Sequence, residues 1–188
     1  MKKLLLLGLS TFAISAHAWE PSYYVGAGIS PWKVQSHANS LDFSVQTLEG
    51  FGGIVLFPHI SLEVRAGAGI NEGRDTFYYV DIDPDTGDDA LFAQPFGLEI
   101  TYFASAYFRP FISNEKATLY GLLGVTTLEF DTNLGGLTED DTDTAASFGV
   151  GVSFTLSPNI QLNAEWKKLI NADEFDIRGG TVGFSYHF

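Results

Sequence analysis

Apolar and polar side chains alternate along most of this chain with a period of two, the signature of extended strands rather than helices. Residues 60–69 show it most cleanly. Ile60, Leu62, Val64, Ala66 and Ala68 interleave with Ser61, Glu63, Arg65, Gly67 and Gly69. Similar runs cover 23–30, 47–57, 97–109, 117–129, 147–156, 160–168 and 178–188, giving eight predicted strands. In 47–57 the apolar phase is Phe51, Gly53, Val55 and Phe57. In 117–129 the adjacent Leu122 and Leu123 blur the phase, and alignment with Tyr24-Val25-Gly26-Ala27-Gly28 points Leu123 and Val125 outward.

The connections alternate in length. Those at 57–60, 110–116 and 156–160 are short proline-bearing turns, whereas 31–46, 70–96, 130–146 and 169–177 are long and rich in Asp, Glu, Gly and Asn. Pro58-x-Ile60-x-Leu62 and Pro158-x-Ile160-x-Leu162 open two of the strands in the same way. Strands of this length match the 9–11 residues or so that cross a bilayer at a tilt. Backbone groups in hydrocarbon must be paired internally, so membrane strands must close into a barrel. The pattern therefore predicts an all-β fold: an eight-stranded, antiparallel, up-and-down transmembrane barrel of the outer-membrane type. A soluble eight-stranded barrel would bury the aromatics and expose the glycines.

Parity assigns the two faces. Glu63, Arg65, Glu99, Arg109, Glu165 and Lys167 share a phase with Gly26, Gly28, Gly67 and Gly183. Small residues mixed with three acids and three bases suit the narrow lumen of an eight-stranded barrel. Buried charges require partners, so these six are read as a lumenal charge network. Aromatics at strand ends (Tyr23, Phe57, Phe108, Phe154, Trp166, Tyr186, Phe188) read as interfacial girdles.

The N-terminus fits export. Lys2 and Lys3 precede an apolar run that ends at Ala16-His17-Ala18, the layout of a cleaved signal peptide. Residues 1–18 are read as that peptide and 19–188 as the barrel domain. Removing the two lysines takes the net charge from −13 to −15, which argues against a nucleic-acid partner. With no cysteine there is no disulfide framework and no thiolate metal site.

The last strand, Thr181-Val182-Gly183-Phe184-Ser185-Tyr186-His187-Phe188, carries its apolar phase to the final residue. Polar-x-Gly-x-x-aromatic-x-Phe resembles the closing-strand signal of bacterial outer-membrane barrels. Together with Glu165-Trp166, Asp173-x-x-Asp176-Ile177-x-Gly179, the Pro158-Asn159 turn and the Tyr24-Val25-Gly26-Ala27-Gly28 start, it is similar to the OmpA-like, porin-family outer-membrane proteins. That resemblance spans essentially the whole chain after residue 18. It implies a monomer in the outer membrane of a Gram-negative bacterium with both termini in the periplasm. It also implies assembly by the barrel insertion machinery, with Gly183, Tyr186 and Phe188 as the assembly signal. No peptidoglycan-binding segment follows the barrel in this sequence.

Candidate chemistry is sparse. Asp81-Ile82-Asp83-Pro84-Asp85-Thr86-Gly87-Asp88-Asp89 and Thr138-Glu139-Asp140-Asp141-Thr142-Asp143 gather oxygen ligands. The first fails the calcium-loop spacing, because Gly87 falls one place late and Phe92 stands where the twelfth-position Glu belongs. No metal site, cofactor or catalytic group is assigned. Small barrels that modify lipid A use His with Ser near the outer leaflet; here only His37, beside Ser36 and Ser40, lies on that side. Lys168 and Arg178 have outward parity at the external strand ends, where a cation meets lipopolysaccharide phosphates or pairs with Asp173, Glu174 or Asp176. The segment Thr76-Phe77-Tyr78-Tyr79-Val80 is read as external loop, with strand extension as its alternative. The expected role is structural or surface-interacting and non-enzymatic. A narrow passive channel is the alternative, and a lipid A-modifying enzyme ranks third.

Overall fold

The computed structural model describes residues 20–36, 42–82, 89–134, 137–170 and 175–188. Nine strands occur among them: β1 (Ser22–Ser36), β2 (Asp42–Phe57), β3 (Ile60–Asn71), β4 (Gly73–Ile82), β5 (Asp89–Ser113), β6 (Ala117–Leu134), β7 (Leu137–Ser157), β8 (Ile160–Ile170) and β9 (Phe175–His187). All pairings are antiparallel. The order is β3-β2-β1-β9-β8-β7-β6-β5-β4, and a β3–β5 pairing closes it. Since β3 and β4 both lie along β5, they form one broken stave. The ring therefore has eight staves, β1-β2-β3-β5-β6-β7-β8-β9. No described helix is long and apolar enough to cross a membrane.

One end of the ring carries the tight turns and is called the turn end. Asn114 closes its turn with Oδ1, which accepts from the backbone N–H groups of Lys116 and Ala117, both at 2.9 Å. Asn159 joins its turn to the last strand. Its Nδ2 donates to the His187 carbonyl at 2.7 Å, and its own carbonyl accepts from His187 N–H at 2.8 Å. The hairpins opened by Pro58 and Pro158 share a detail, a register shift just before each turn (Val55/Phe57 and Thr155/Ser157). Phe188 N–H donates to the Tyr23 carbonyl at 3.0 Å, so the chain terminus is held within the ring.

At the opposite, loop end the strands run further than the sequence pattern indicates. Much of 31–46, 70–96 and 130–146 is strand, including residues 76–80, read above as loop. The side-chain phase explains the difference. Along β1 the outward Val25 and Ile29 are half exposed, whereas Trp32 and Val34 point inward and are buried. Apolar residues thus change face part-way up the strand while its geometry continues. Below that level an apolar belt faces outward (Leu62, Val64, Leu119, Leu123, Val125, Phe184), as befits hydrocarbon contact. Above it Lys33, Thr127 and Glu129 face outward, and the core lies inside the ring.

Candidate functional site

The lumen is filled in two layers. Nearer the turn end lies an ion cluster centred on Arg65 of β3. Its Nε donates to Glu63 Oε1 at 2.7 Å and its Nη1 to Glu49 Oε1 at 2.9 Å. Nη1 and Nη2 grip the two carboxylate oxygens of Glu165 at 2.6 and 2.9 Å. Lys167 Nζ donates to Glu49 Oε2 at 2.8 Å, and Arg109 stands 3.7 Å from Glu63. Tyr24 donates to Glu63 at 2.7 Å, Tyr120 to Glu165 at 2.6 Å and Ser30 to Glu49 at 2.9 Å. Three acids meet three bases, so the buried set is neutral, as burial in low dielectric demands. Aromatic faces cover the cations: the Phe51 ring lies 5.1 Å from the Arg65 guanidinium, and the Tyr120 ring 3.7 Å from that of Arg109.

Five of the six charges read from parity (Glu63, Arg65, Arg109, Glu165, Lys167) lie in this cluster. The sixth, Glu99, does not. A bulge between Ile100 and Tyr102 in the β5–β6 register reverses the phase of β5 above it. Leu98 and Ile100 therefore point inward, and Glu99 faces outward beside Asp131. Thr101 Oγ1, at the bulge, is buried without a hydrogen-bond partner among the described residues. Glu49, unassigned from sequence, takes the third acid's place. Its clue was its phase, shared with Phe51, Gly53 and Val55 on β2. That apolar phase also proves to be lumenal rather than outward: Phe51 and Val55 are buried, and the Tyr24 ring fills the space beside Gly53. Phe57 still faces outward, because the register shift precedes it.

Toward the loop end the second layer is apolar. Trp32, Val34, Phe43, Val45, Leu98, Ile100, Phe103, Leu128, Phe130, Leu169 and Ile177 form one buried cluster inside the ring. Trp32 links the layers: its indole N–H donates to Thr47 at 3.0 Å, and Lys167 Nζ lies 5.1 Å from its ring.

Outside, just above the apolar belt, three cations form a row. Register pairing sets Lys33 of β1 opposite Arg178 of β9, and Arg178 opposite Lys168 of β8. Lys168 bridges to Asp176 at 2.7 Å, and Arg178 donates to Gln35 at 2.9 Å. Lys33 escaped the sequence reading because its strand was ended at residue 30. His37 and residues 83–88 of the first acidic loop lie outside the described residues. In the second acidic loop the side chains of Thr138, Glu139 and Asp140 are likewise undescribed. Among the described residues no cluster of three metal-ligating side chains occurs. Gly183 and Ser185 face the lumen, His187 stacks on Tyr24 at 5.1 Å, and Phe184, Tyr186 and Phe188 face outward.

A closed ring, an apolar outer belt and a charge-filled lumen define a transmembrane β-barrel. Residues 4–188 match the model for the outer membrane protein beta-barrel domain, and the chain belongs to that family, whose place is the outer membrane of Gram-negative bacteria. The fold is similar to that of Ail, the attachment invasion locus protein of Yersinia pestis, at 19% identity and TM-score 0.60, over 90% of this chain and 100% of that one. Neisserial surface protein A (NspA) gives 15% identity and TM-score 0.62 over the same shares. OprG of Pseudomonas aeruginosa gives 10% and 0.55, over 89% of this chain and 95% of that one. No curated protein sequence matches the chain.

Proposed function

We propose that this protein is a sealed, non-enzymatic barrel that works through its outer surface, with the loop end outside the cell and both termini in the periplasm. The observation that carries this reading is the double filling of the lumen. An ion cluster spans the ring at one level and an apolar core occupies it at the next. A water path needs a continuous polar bore, and the apolar layer interrupts it. The narrow-channel alternative is therefore disfavoured. The chemistry left for partners lies on the rim and on the strands projecting at the loop end.

The row Lys33–Arg178–Lys168 supports seating against the phosphates of lipopolysaccharide. It stands at the upper border of the apolar belt, where such headgroups lie, and positive charges pair with phosphate there. Asp176 offsets one of the three charges, leaving the row net cationic.

External protease and membrane-impermeant labelling on intact cells test the orientation. A label at Tyr78→Cys should react on whole cells, whereas one at Glu115→Cys should react only after the outer membrane is opened. The reverse pattern would overturn the reading.

A further inference from the structure

On the outer wall, toward the turn end, a groove of about 580 Å³ runs across β5 and β6. That volume falls within the roughly 300–1,000 Å³ of small-molecule sites. Phe108, Pro110 and Ile112 of β5, Leu119 and Gly121 of β6, and Val150 of β7 line it. Every residue of this wall is described. Two sequence features hollow it out. Gly121 has no side chain, while Phe108, Ile112, Leu119 and Val150 stand half exposed around it. The β5–β6 register also skips Arg109 and Pro110, and proline has no N–H to give the ladder. A Cβ on Gly121 would meet nothing nearer than Pro110 Cγ at 3.6 Å, so the floor is open.

Position and charge select the occupant. The groove belongs to the apolar belt, so hydrocarbon covers it. Against hydrocarbon, packing decides what stays bound, and a chain in a groove touches protein on more sides than one on a flat wall. The rim at the turn end is polar. His59 borders it, with its ring edge-on to Phe111 at 6.3 Å. Glu115 and Lys116 stand exposed in the turn between β5 and β6, and neither enters an ion pair among the described residues. An acid beside a base complements a headgroup that carries both a phosphate and an ammonium.

We propose that this groove retains one phospholipid from the leaflet at the turn end, with an acyl chain over Gly121 and Pro110 and a zwitterionic, amine-bearing headgroup at Glu115 and Lys116. Orientation enters only through the leaflet that supplies the lipid, which rests on the reading that the turn end is periplasmic.

The test is native mass spectrometry of the full barrel ejected from nanodiscs of equal phosphatidylethanolamine and phosphatidylglycerol. The wild-type protein should retain one phospholipid, with phosphatidylethanolamine enriched at least fivefold. Gly121→Leu fills the groove and should lower retention at least fivefold while the heat-dependent gel shift, the mark of an intact barrel, persists. Should that variant fail to fold, Val150→Trp narrows the groove from its other wall, with the same loss expected. Gly52→Leu fills a smaller groove of about 360 Å³ on β2, whose bounding turn Pro58-His59 holds no acid, and should leave retention within twofold. Glu115→Gln with Lys116→Gln should abolish the headgroup preference. No retained lipid, no loss in the folded groove-filling variant, or an equal loss in Gly52→Leu would overturn the site. An unchanged preference in the double variant would overturn the headgroup assignment. Nanodiscs offer the same lipids to both ends, so such failure is distinguishable from wrong orientation, which the labelling of intact cells reports.

Discussion

Arg65 on β3 holds the carboxylate of Glu165 with two parallel hydrogen bonds across the lumen. The two strands stand four places apart in the eight-stave ring, so this pair joins opposite walls. No ladder bond can do that. Arg65 serves Glu49 and Glu63 as well, and its loss would strand three carboxylates beside two cations.

Arg65→Met should therefore destabilise the barrel by about 3–5 kcal/mol, the usual penalty for breaking a buried pair from one side. Adding Glu165→Gln should recover part of that loss. Urea unfolding in lipid vesicles measures both, and an Arg65→Met midpoint equal to wild type would refute the strut.

Gly183 marks a close approach. A Cβ there would meet the Ala27 carbonyl oxygen and lie 2.8 Å from Gly28 Cα, both backbone atoms that cannot swing away. Beside Gly50 the nearest atom would be the Gly26 oxygen at 3.9 Å. Gly183→Ala should cost on the order of 1–3 kcal/mol and Gly50→Ala within about 0.5 kcal/mol, again by urea midpoint. Equal costs would contradict the packing described here.

Phe188 is 71% exposed and touches Tyr186 edge-on at 5.2 Å. Its side chain packs little within the barrel, and the role proposed for it is in assembly. Deleting it should leave the thermal stability of protein refolded in detergent nearly unchanged, yet lower the surface level in cells severalfold. Normal surface levels would remove Phe188 from the assembly signal.

Neutralising the rim row tests the proposed lipid seat. Each of Lys33→Gln and Arg178→Gln should weaken lipopolysaccharide retention by roughly fivefold, about 1 kcal/mol per cation, with no change for lipid A stripped of phosphate. Unchanged retention in the double variant would leave the row as a set of surface pairs.

The sequence made the membrane belt and most of the lumenal cluster legible, because one buried and one lipid-facing side impose strict alternation. It misled in two physical situations. At Thr101 an extra residue enters β5, so parity counted across it placed Glu99 on the wrong side. Where the wall leaves hydrocarbon for water, the favoured face inverts. Trp32, Val34 and Ile177 then appear out of phase, although their strands continue unbroken. Glu49 was hidden differently: one acid among glycines and aromatics on β2 looked like an interruption of an outer face, when that face was the lumen.

Single-channel recording in planar bilayers bears most directly on the sealed barrel. The wild-type protein should be silent, whereas Trp32→Ala with Phe43→Ala and Phe103→Ala, which thins the apolar layer, should show brief openings. Steady, discrete conductance from the wild-type protein would contradict the account.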